Sequence, residues 1–221
     1  MIDNIEDIYK DAEDESEEIY KKQEETRKKI LLAFSLYLLD MNKGALINTI
    51  YDNISFLMKS EQDEILKILN NCIINNGKLN NTLILTTGAS VISLMNTYGK
   101  TFRDRVINNK SNMVESLLDL INKVDNKTVE NIKDNINEIF YENTGQTHKL
   151  ITTEVSRVIN DSSIQIYKQH NISKVKVVAT LDKRVCSDCV KYDGNVYNID
   201  EVARMLPRHP NCRCYFVPIK D

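Results

Sequence analysis

This sequence predicts an α+β chain, mostly α, with a helical N-terminal body followed by a small β-rich module dense in cysteine and histidine. Three observations carry that reading. Only six glycines and three prolines interrupt 221 residues, and so few breakers favour long helices over a many-stranded β protein. Apolar residues recur at helical spacing as far as about residue 170. Beyond about residue 173 the texture turns to short β-branched runs, turn pairs and clustered cysteines.

Composition narrows the function classes. Hydrophobic residues make up 42% and charged residues 28%, with a net charge of -3. A buried core is feasible, and the chain as a whole has no general attraction for nucleic acid, although a local basic patch is compatible with this balance. Met1-Ile2-Asp3-Asn4 has neither the basic nor the apolar segment of a signal peptide. The most apolar run, Ile30 to Met41, is interrupted by Ser35, Tyr37 and Asp40. A bilayer span needs about 20 apolar residues, so this run reads as a buried helix and no membrane segment is expected. For a protein made in a cytosol, five cysteines read as thiols or metal ligands before they read as a disulfide framework.

Taken in order, residues 1–29 are rich in Glu, Asp and Lys, with Ile2, Ile5, Ile8 and Tyr9 at helical spacing, which predicts a largely solvated helix. Further helix faces are predicted by Ile30, Phe34 and Tyr37, by Ile47, Ile50 and Ile54, and by Ile65, Leu69 and Ile73. Cys72 falls in the last of these stripes and reads as a packed thiol. Asn75-Asn76-Gly77 reads as a stop. Leu83 to Tyr98 suggests a fourth apolar helix with Gly88 as a hinge, Met113 to Ile121 a fifth, and Val129 to Ile139 a sixth. Gly145 then separates the body, residues 1–144, from the region 145–221. That region opens with a long amphipathic helix over about 146–170. Val175 to Thr180 predicts a strand, Asp193-Gly194 a turn, Val196-Tyr197 a second short strand, Asp200 to Met205 a brief helix, and Cys214 to Pro218 a final strand. The β-rich module thus runs from about 173 to 219.

The chemistry is concentrated in that module. Cys186 and Cys189 form a C-x-x-C pair, and His209-Pro210-Asn211-Cys212 a second knuckle, with Cys214 two residues on. C-x-x-C lets two thiolates from one turn face a single ion, and zinc prefers four nitrogen or sulfur ligands in a tetrahedron. Four of the five residues Cys186, Cys189, His209, Cys212 and Cys214 would complete such a site. Cys186 and Cys189 are the firmest pair, and two of the other three supply the rest. Closing it would help fold a segment too small to build its own core. The competing readings are a disulfide pair and unrelated core thiols. A catalytic metal needs an open position and a nearby acid/base group. No H-x-E precedes the cysteines as in the zinc deaminases, and there is no βαβ context for a thioredoxin-like pair, so a structural zinc and no enzymatic activity are expected.

Asp182, Arg184, Cys186 and Cys189, then Asp193-Gly194, then Pro207 and His209-Pro210-Asn211-Cys212-Arg213-Cys214, fill a longer pattern. It resembles the C-terminal region of the phage Mu protein F-like family of head morphogenesis, or minor capsid, proteins. That pattern is roughly D-x-R-x-C-x-x-C, D-G, a proline and H-P-x-C-R-C. Thr153-Glu154, Arg157 and Asn160 match its T-E-x-x-R-x-x-N helix, so the resemblance spans about residues 145–219. It implies a non-enzymatic minor head protein of a tailed phage or prophage, made in the bacterial cytoplasm and residing in the head interior. The implied partners are the portal protein and/or the major capsid protein, with packaged DNA as a further contact and a homo-oligomer compatible with the role. Some relatives carry a fused effector domain; none is expected after this module.

Read without the family, Glu154 and Arg157 form an i, i+3 pair, either at the surface or docked on the module, and Asp182 and Arg184 form a local pair or cap. Lys174, Lys176, Lys183, Arg184, Lys191, Arg204, Arg208, Arg213 and Lys220 make the module locally basic. A zinc-dependent DNA-binding module is therefore one rival function. A phage-associated toxin or enzyme is the other, though no convincing acid/base pair or nucleophile supports it.

Overall fold

Long uninterrupted helices follow from where the breakers lie. All three prolines, Pro207, Pro210 and Pro218, fall in the C-terminal module, and none lies upstream. The computed structural model describes residues 4–80, 99–124, 128–180 and 185–219. Its helices are α1 (Ile5–Asp40), α2 (Lys43–Leu79), α3 (Phe102–Asn122) and α4 (Val129–Gln169). The module adds strand β1 (Lys174–Val178), the short helix α5 (Ser187–Tyr192), strand β2 (Val196–Asn198), a 3-10 turn (Ile199–Glu201) and strand β3 (Tyr215–Ile219). The chain is therefore α+β and mostly α. Among the described residues no helix is long and apolar enough to cross a membrane.

The helix faces expected within the described residues are present, but several expected boundaries are not. The faces at Ile47–Ile54 and Ile65–Ile73 belong to one helix, α2, which runs through Asn75-Asn76-Gly77 to Leu79. Asn76 does not end it because its side chain is fully buried, with Nδ2 bonded to the Ile159 carbonyl (3.1 Å), Ser162 Oγ (2.7 Å) and Ser163 Oγ (2.9 Å). The helix expected to start near residue 146 starts at Val129 and passes through Gly145. An exposed helical glycine costs only about 1 kcal/mol relative to alanine. The segment read as largely solvated, residues 1–29, is part of α1 and buries a continuous stripe: Ile5, Ile8, Ala12, Ser16, Ile19, Gln23, Thr26 and Ile30. Three of those positions are polar, which hid the stripe. Cys72 is a buried thiol as expected. Leu83 to Tyr98, with Gly88, lies outside the described residues.

Contacts divide the chain into two compact units. The first comprises Met1–Glu15, Leu66–Asn96 and Lys149–Asp221; the second comprises Ser16–Ile65 and Thr97–His148. In the second unit Ile30, Phe34 and Tyr37 of α1, Leu46, Ile50 and Ile54 of α2, Leu117 and Leu120 of α3, and Ile136 and Phe140 of α4 form an apolar core. Beside it is a buried polar cluster. Lys110 Nζ lies 2.5 Å from Glu61 Oε1 and also bonds Asn143 Oδ1. Gln23 Nε2 donates to Glu61 Oε1 (2.6 Å) and to Thr147 Oγ1 (3.0 Å), and Thr144 Oγ1 donates to Gln23 Oε1 (2.6 Å). Burial pulls the Lys110 ammonium below its ordinary pKa, and Glu61 opposes that shift.

In the first unit the strands form one antiparallel sheet in the order β2-β1-β3. Val175 pairs with Tyr197 and Pro218, and Val177 with Phe216. Alternation puts Val175 and Val177 in the core and Lys174 and Lys176 on the exposed face. The buried face packs with Ile164, Ile166 and Tyr167 of α4, with Val202 and Leu206, and with Cys189, Cys212 and Cys214.

Lys110→Met should destabilise the fold by about 3–5 kcal/mol, because it strands the Glu61 carboxylate in a buried site. Urea unfolding checks this, and adding Glu61→Leu should recover part of the loss.

Candidate metal centre

Each candidate ligand side chain is placed by local backbone chemistry. Cys186 is the N-cap of α5, and its Sγ accepts the Cys189 N–H at 3.3 Å. One turn into the helix, Cys189 points to the same side. The second knuckle is a tight turn in which the Cys212 N–H donates to the His209 carbonyl at 3.1 Å, with Asn211 in the left-handed region at φ 63. Asparagine tolerates that conformation better than most residues. The Leu206–Pro207 peptide preceding the knuckle is cis.

The two knuckles converge. His209 Nε2 lies 3.0 Å from Cys186 Sγ and 3.1 Å from Cys189 Sγ, and Cys189 Sγ lies 3.7 Å from Cys212 Sγ. Two overlapping groups result, Cys186–Cys189–His209 and Cys189–Cys212–Cys214, each with donor atoms within 4.8 Å of one another and with Cys189 common to both. Either group could hold a metal ion. Cys189, Cys212 and Cys214 are buried; Cys186 and His209 are half-buried. All five cysteines of the chain are free thiols. The 3.7 Å sulfur separation is well beyond the roughly 2.05 Å of a disulfide.

The electrostatics divide the sulfurs, with Cys212 and Cys186 drawn toward the thiolate and Cys189 and Cys214 toward the thiol, and they define the imidazole. Cys212 is pulled down to about 5 by its hydrogen bond with the Cys214 thiol, against burial, and by the N–H groups of Cys214 and Arg208. The same thiol–thiolate bond, with burial, pushes Cys214 up. Cys186 is lowered by the Cys189 N–H, whereas burial pushes Cys189 up to about 12. His209 Nδ1 lies 2.8 Å from the Pro210 carbonyl. A carbonyl only accepts, so Nδ1 carries the proton and, in the neutral ring, Nε2 offers its lone pair to the sulfur side. Burial works against protonation of His209, but the Pro210 bond and the nearby Cys212 and Cys186 thiolates raise its pKa.

Helix α4 holds this arrangement in place. Asn160 Nδ2 donates to the Cys214 carbonyl (2.9 Å), and its Oδ1 accepts the Phe216 N–H (3.1 Å). Tyr167 Oη donates to the Phe216 carbonyl (3.2 Å), so two side chains of α4 take the outward backbone groups of β3. Thr153 Oγ1 accepts the Asn211 N–H in the second knuckle (3.1 Å). Glu154 and Arg157 are buried, not at the surface, with Arg157 Nη2 at 2.8 Å from Glu154 Oε2 and Nη1 at 3.3 Å from Asp161 Oδ2. Asp193 Oδ1 accepts the Ala179 N–H (2.9 Å), and Gly194, at φ 77, donates to the Val177 carbonyl (2.9 Å), so this turn registers β1. Arg208 stacks on Tyr192 with its guanidinium carbon 3.5 Å from the ring centroid. Asp182 and Arg184 lie outside the described residues. Asp161, Tyr167 and the anchoring role of Asn160 were not read from sequence; a polar residue repeating on the apolar side of a helix is the signal that would have found them.

The fold and site define a class: a helix-mounted Cys/His module whose donors form two overlapping groups that could hold a metal ion. The family model described as Phage Mu protein F like protein matches residues 122–217, which takes in all of α4 and nearly the whole module. The resemblance carried by the Cys/His pattern therefore holds, and the match begins upstream of residue 145. No curated protein sequence and no solved structure matches the chain.

Asn160→Ala would leave the Cys214 carbonyl and the Phe216 N–H buried and unpaired, at about 1–3 kcal/mol each. Hydrogen exchange should show the Phe216 amide losing protection while amides of α3 keep theirs.

Proposed function

We propose that this chain is a non-enzymatic minor head protein of a tailed phage or prophage, and that a structural zinc closes its C-terminal module. The carrying observation is that the matched segment, residues 122–217, coincides with α4 and the convergent Cys/His cluster. The portal and the inner face of the capsid are the proposed partners, with the virion head as its location.

The donor set suits zinc, which takes thiolate and imidazole ligands. Zinc–sulfur bonds of about 2.3 Å imply sulfur–sulfur edges of about 3.8 Å in a tetrahedron, close to the 3.7 Å between Cys189 and Cys212. The 3.0 and 3.1 Å contacts of His209 would open by about half an ångström to reach a sulfur–nitrogen edge. We assign Cys186, Cys189, His209 and Cys212 as the four ligands, with Cys214 packed against them as a hydrogen-bonded support. Four protein ligands leave no open position, which suits a structural ion whose binding energy is folding energy.

DNA contact is the second reading. It is favoured by Lys174, Lys176, Arg204 and Arg208, all exposed on the module, and strongly salt-sensitive DNA binding by the purified chain would support it.

Two measurements test the proposal. Zinc per chain, measured by elemental analysis, should be one for wild type and Cys214→Ser, and near zero for Cys189→Ser and Cys212→Ser. Retained zinc in Cys212→Ser with loss in Cys214→Ser would exchange the two roles. Mass spectrometry of DNA-filled heads should find the chain at a low, fixed ratio to the portal protein; absence from heads and assembly intermediates would overturn the head-protein reading.

A further inference from the structure

The unit formed by Ser16–Ile65 and Thr97–His148 carries two apolar surfaces that face solvent. On α1, Leu32, Leu36 and Leu39 are 61%, 53% and 83% exposed. Steps of four and three residues keep them on one side of the helix. The opposite side carries Ile30, Phe34 and Tyr37 into the unit's own core. A leucine row at this spacing is the knob row of a helix–helix seam. Exposed Lys28 and Lys29 lie one turn before it, and Lys28 makes a surface pair with Glu24 at 3.7 Å.

The second surface is a groove of about 580 Å³ between α2 and α3. Tyr51, Ser55 and Met58 form one lip, spaced four and three. Ile107, Ser111, Val114 and Leu118 form the other, spaced four, three and four. Two rows with this repeat present the holes that accept a third helix's knobs. Tyr51 and Ile107 remain 47% and 43% exposed. Glu115 and Asp119 edge the α3 lip, and the ion pair of Asp119 with Lys123 is an exposed one at 3.8 Å.

We propose that the leucine stripe of one copy seats in the α2–α3 groove of a second copy. The repeat of knobs matches the repeat of holes, and the lysines of the stripe meet the carboxylates of the groove. The stripe points away from its own core, so a copy cannot fill its own groove with it. Each copy offers one stripe and one groove, which makes the contact heterologous and lets it continue into a ring or a filament. A stripe of about two helical turns buries less area than a standard interface, so a single contact has a Kd on the order of 10–100 μM. Closure of a ring would strengthen it through effective concentration.

Sedimentation velocity of the full chain, over concentrations reaching about 1 mM, tests this. Wild type should show a sedimentation coefficient that rises with concentration. Leu36→Glu spoils the stripe and Ile107→Glu the groove; both positions are exposed, so circular dichroism should show an unchanged fold. Each variant alone should stay monomeric. Mixed in equal amounts they should form a dimer and stop there, because one contributes the intact groove and the other the intact stripe. Lys28→Glu with Lys29→Glu should weaken self-association at least tenfold at low salt, and adding Glu115→Lys with Asp119→Lys should restore it. A wild type that stays monomeric throughout overturns the proposal. So does a mixture that fails to associate, or association lost with Leu36→Glu but kept with Ile107→Glu, which would mean a symmetric stripe-to-stripe dimer.

Discussion

The geometry of the C-terminal module hangs on one side chain. Asn160 presents its amide to β3 as a neighbouring strand would, accepting one N–H and donating to one carbonyl. Cys214 is one of the two residues it grips, and Cys212 lies two residues before it. The position of the second knuckle is therefore held from α4 as well as from within the module, where Arg208 stacks on Tyr192 and Thr180 Oγ1 donates to the Arg213 carbonyl. Thr153 repeats the device two turns earlier, holding the Asn211 N–H. A segment with so small a core gains its rigidity from the long helix it lies on, and the Cys/His cluster inherits that rigidity.

The same arrangement explains why the helix and the cysteine pattern occur together. A C-x-x-C pair needs only its own turn to aim two sulfurs in one direction, as Cys186 and Cys189 do. The second pair of candidate ligands sits on an irregular segment with Asn211 in a left-handed conformation, and such a segment holds its shape only if its backbone groups are satisfied. Thr153 and Asn160 do that, and the buried Glu154–Arg157–Asp161 cluster keeps the intervening turn of α4 polar without exposing it. Within the matched family segment, helix and knuckles form a single mechanical part.

How much of this the sequence disclosed depended on range. Helix faces at Ile30–Tyr37 and Ile47–Ile54 were legible because apolar periodicity is local. The ends were not. Asn76 and Gly145 read as breakers, yet Asn76 is held inside by Ser162 and Ser163, more than eighty positions away. The first half of α1 read as solvated because Ser16, Gln23 and Thr26 occupy buried positions that apolar residues usually take, and there hydrogen bonds replace the missing carbon. The five candidate ligands were legible from spacing, and the fold gathers them into two overlapping groups of three that share Cys189. The anchoring by Asn160 and Tyr167 was not, since the pairing partners lie about fifty residues on and only the folded sheet brings them near.

Strand β3 ends the sheet on the α4 side, yet it presents little backbone for another chain to grasp. Both outward groups of Phe216 are taken by Asn160 and Tyr167, and Pro218 has no N–H to give. An exposed strand edge is a template for unwanted pairing, and proteins commonly blunt it with proline or cover it. Here the bonds of Phe216 and the proline at 218 blunt β3 as an edge for sheet-to-sheet fusion, and the opposite edge, β2, is only three residues long. Copies of the chain brought close together would therefore meet along β3 through side chains and not through backbone pairing.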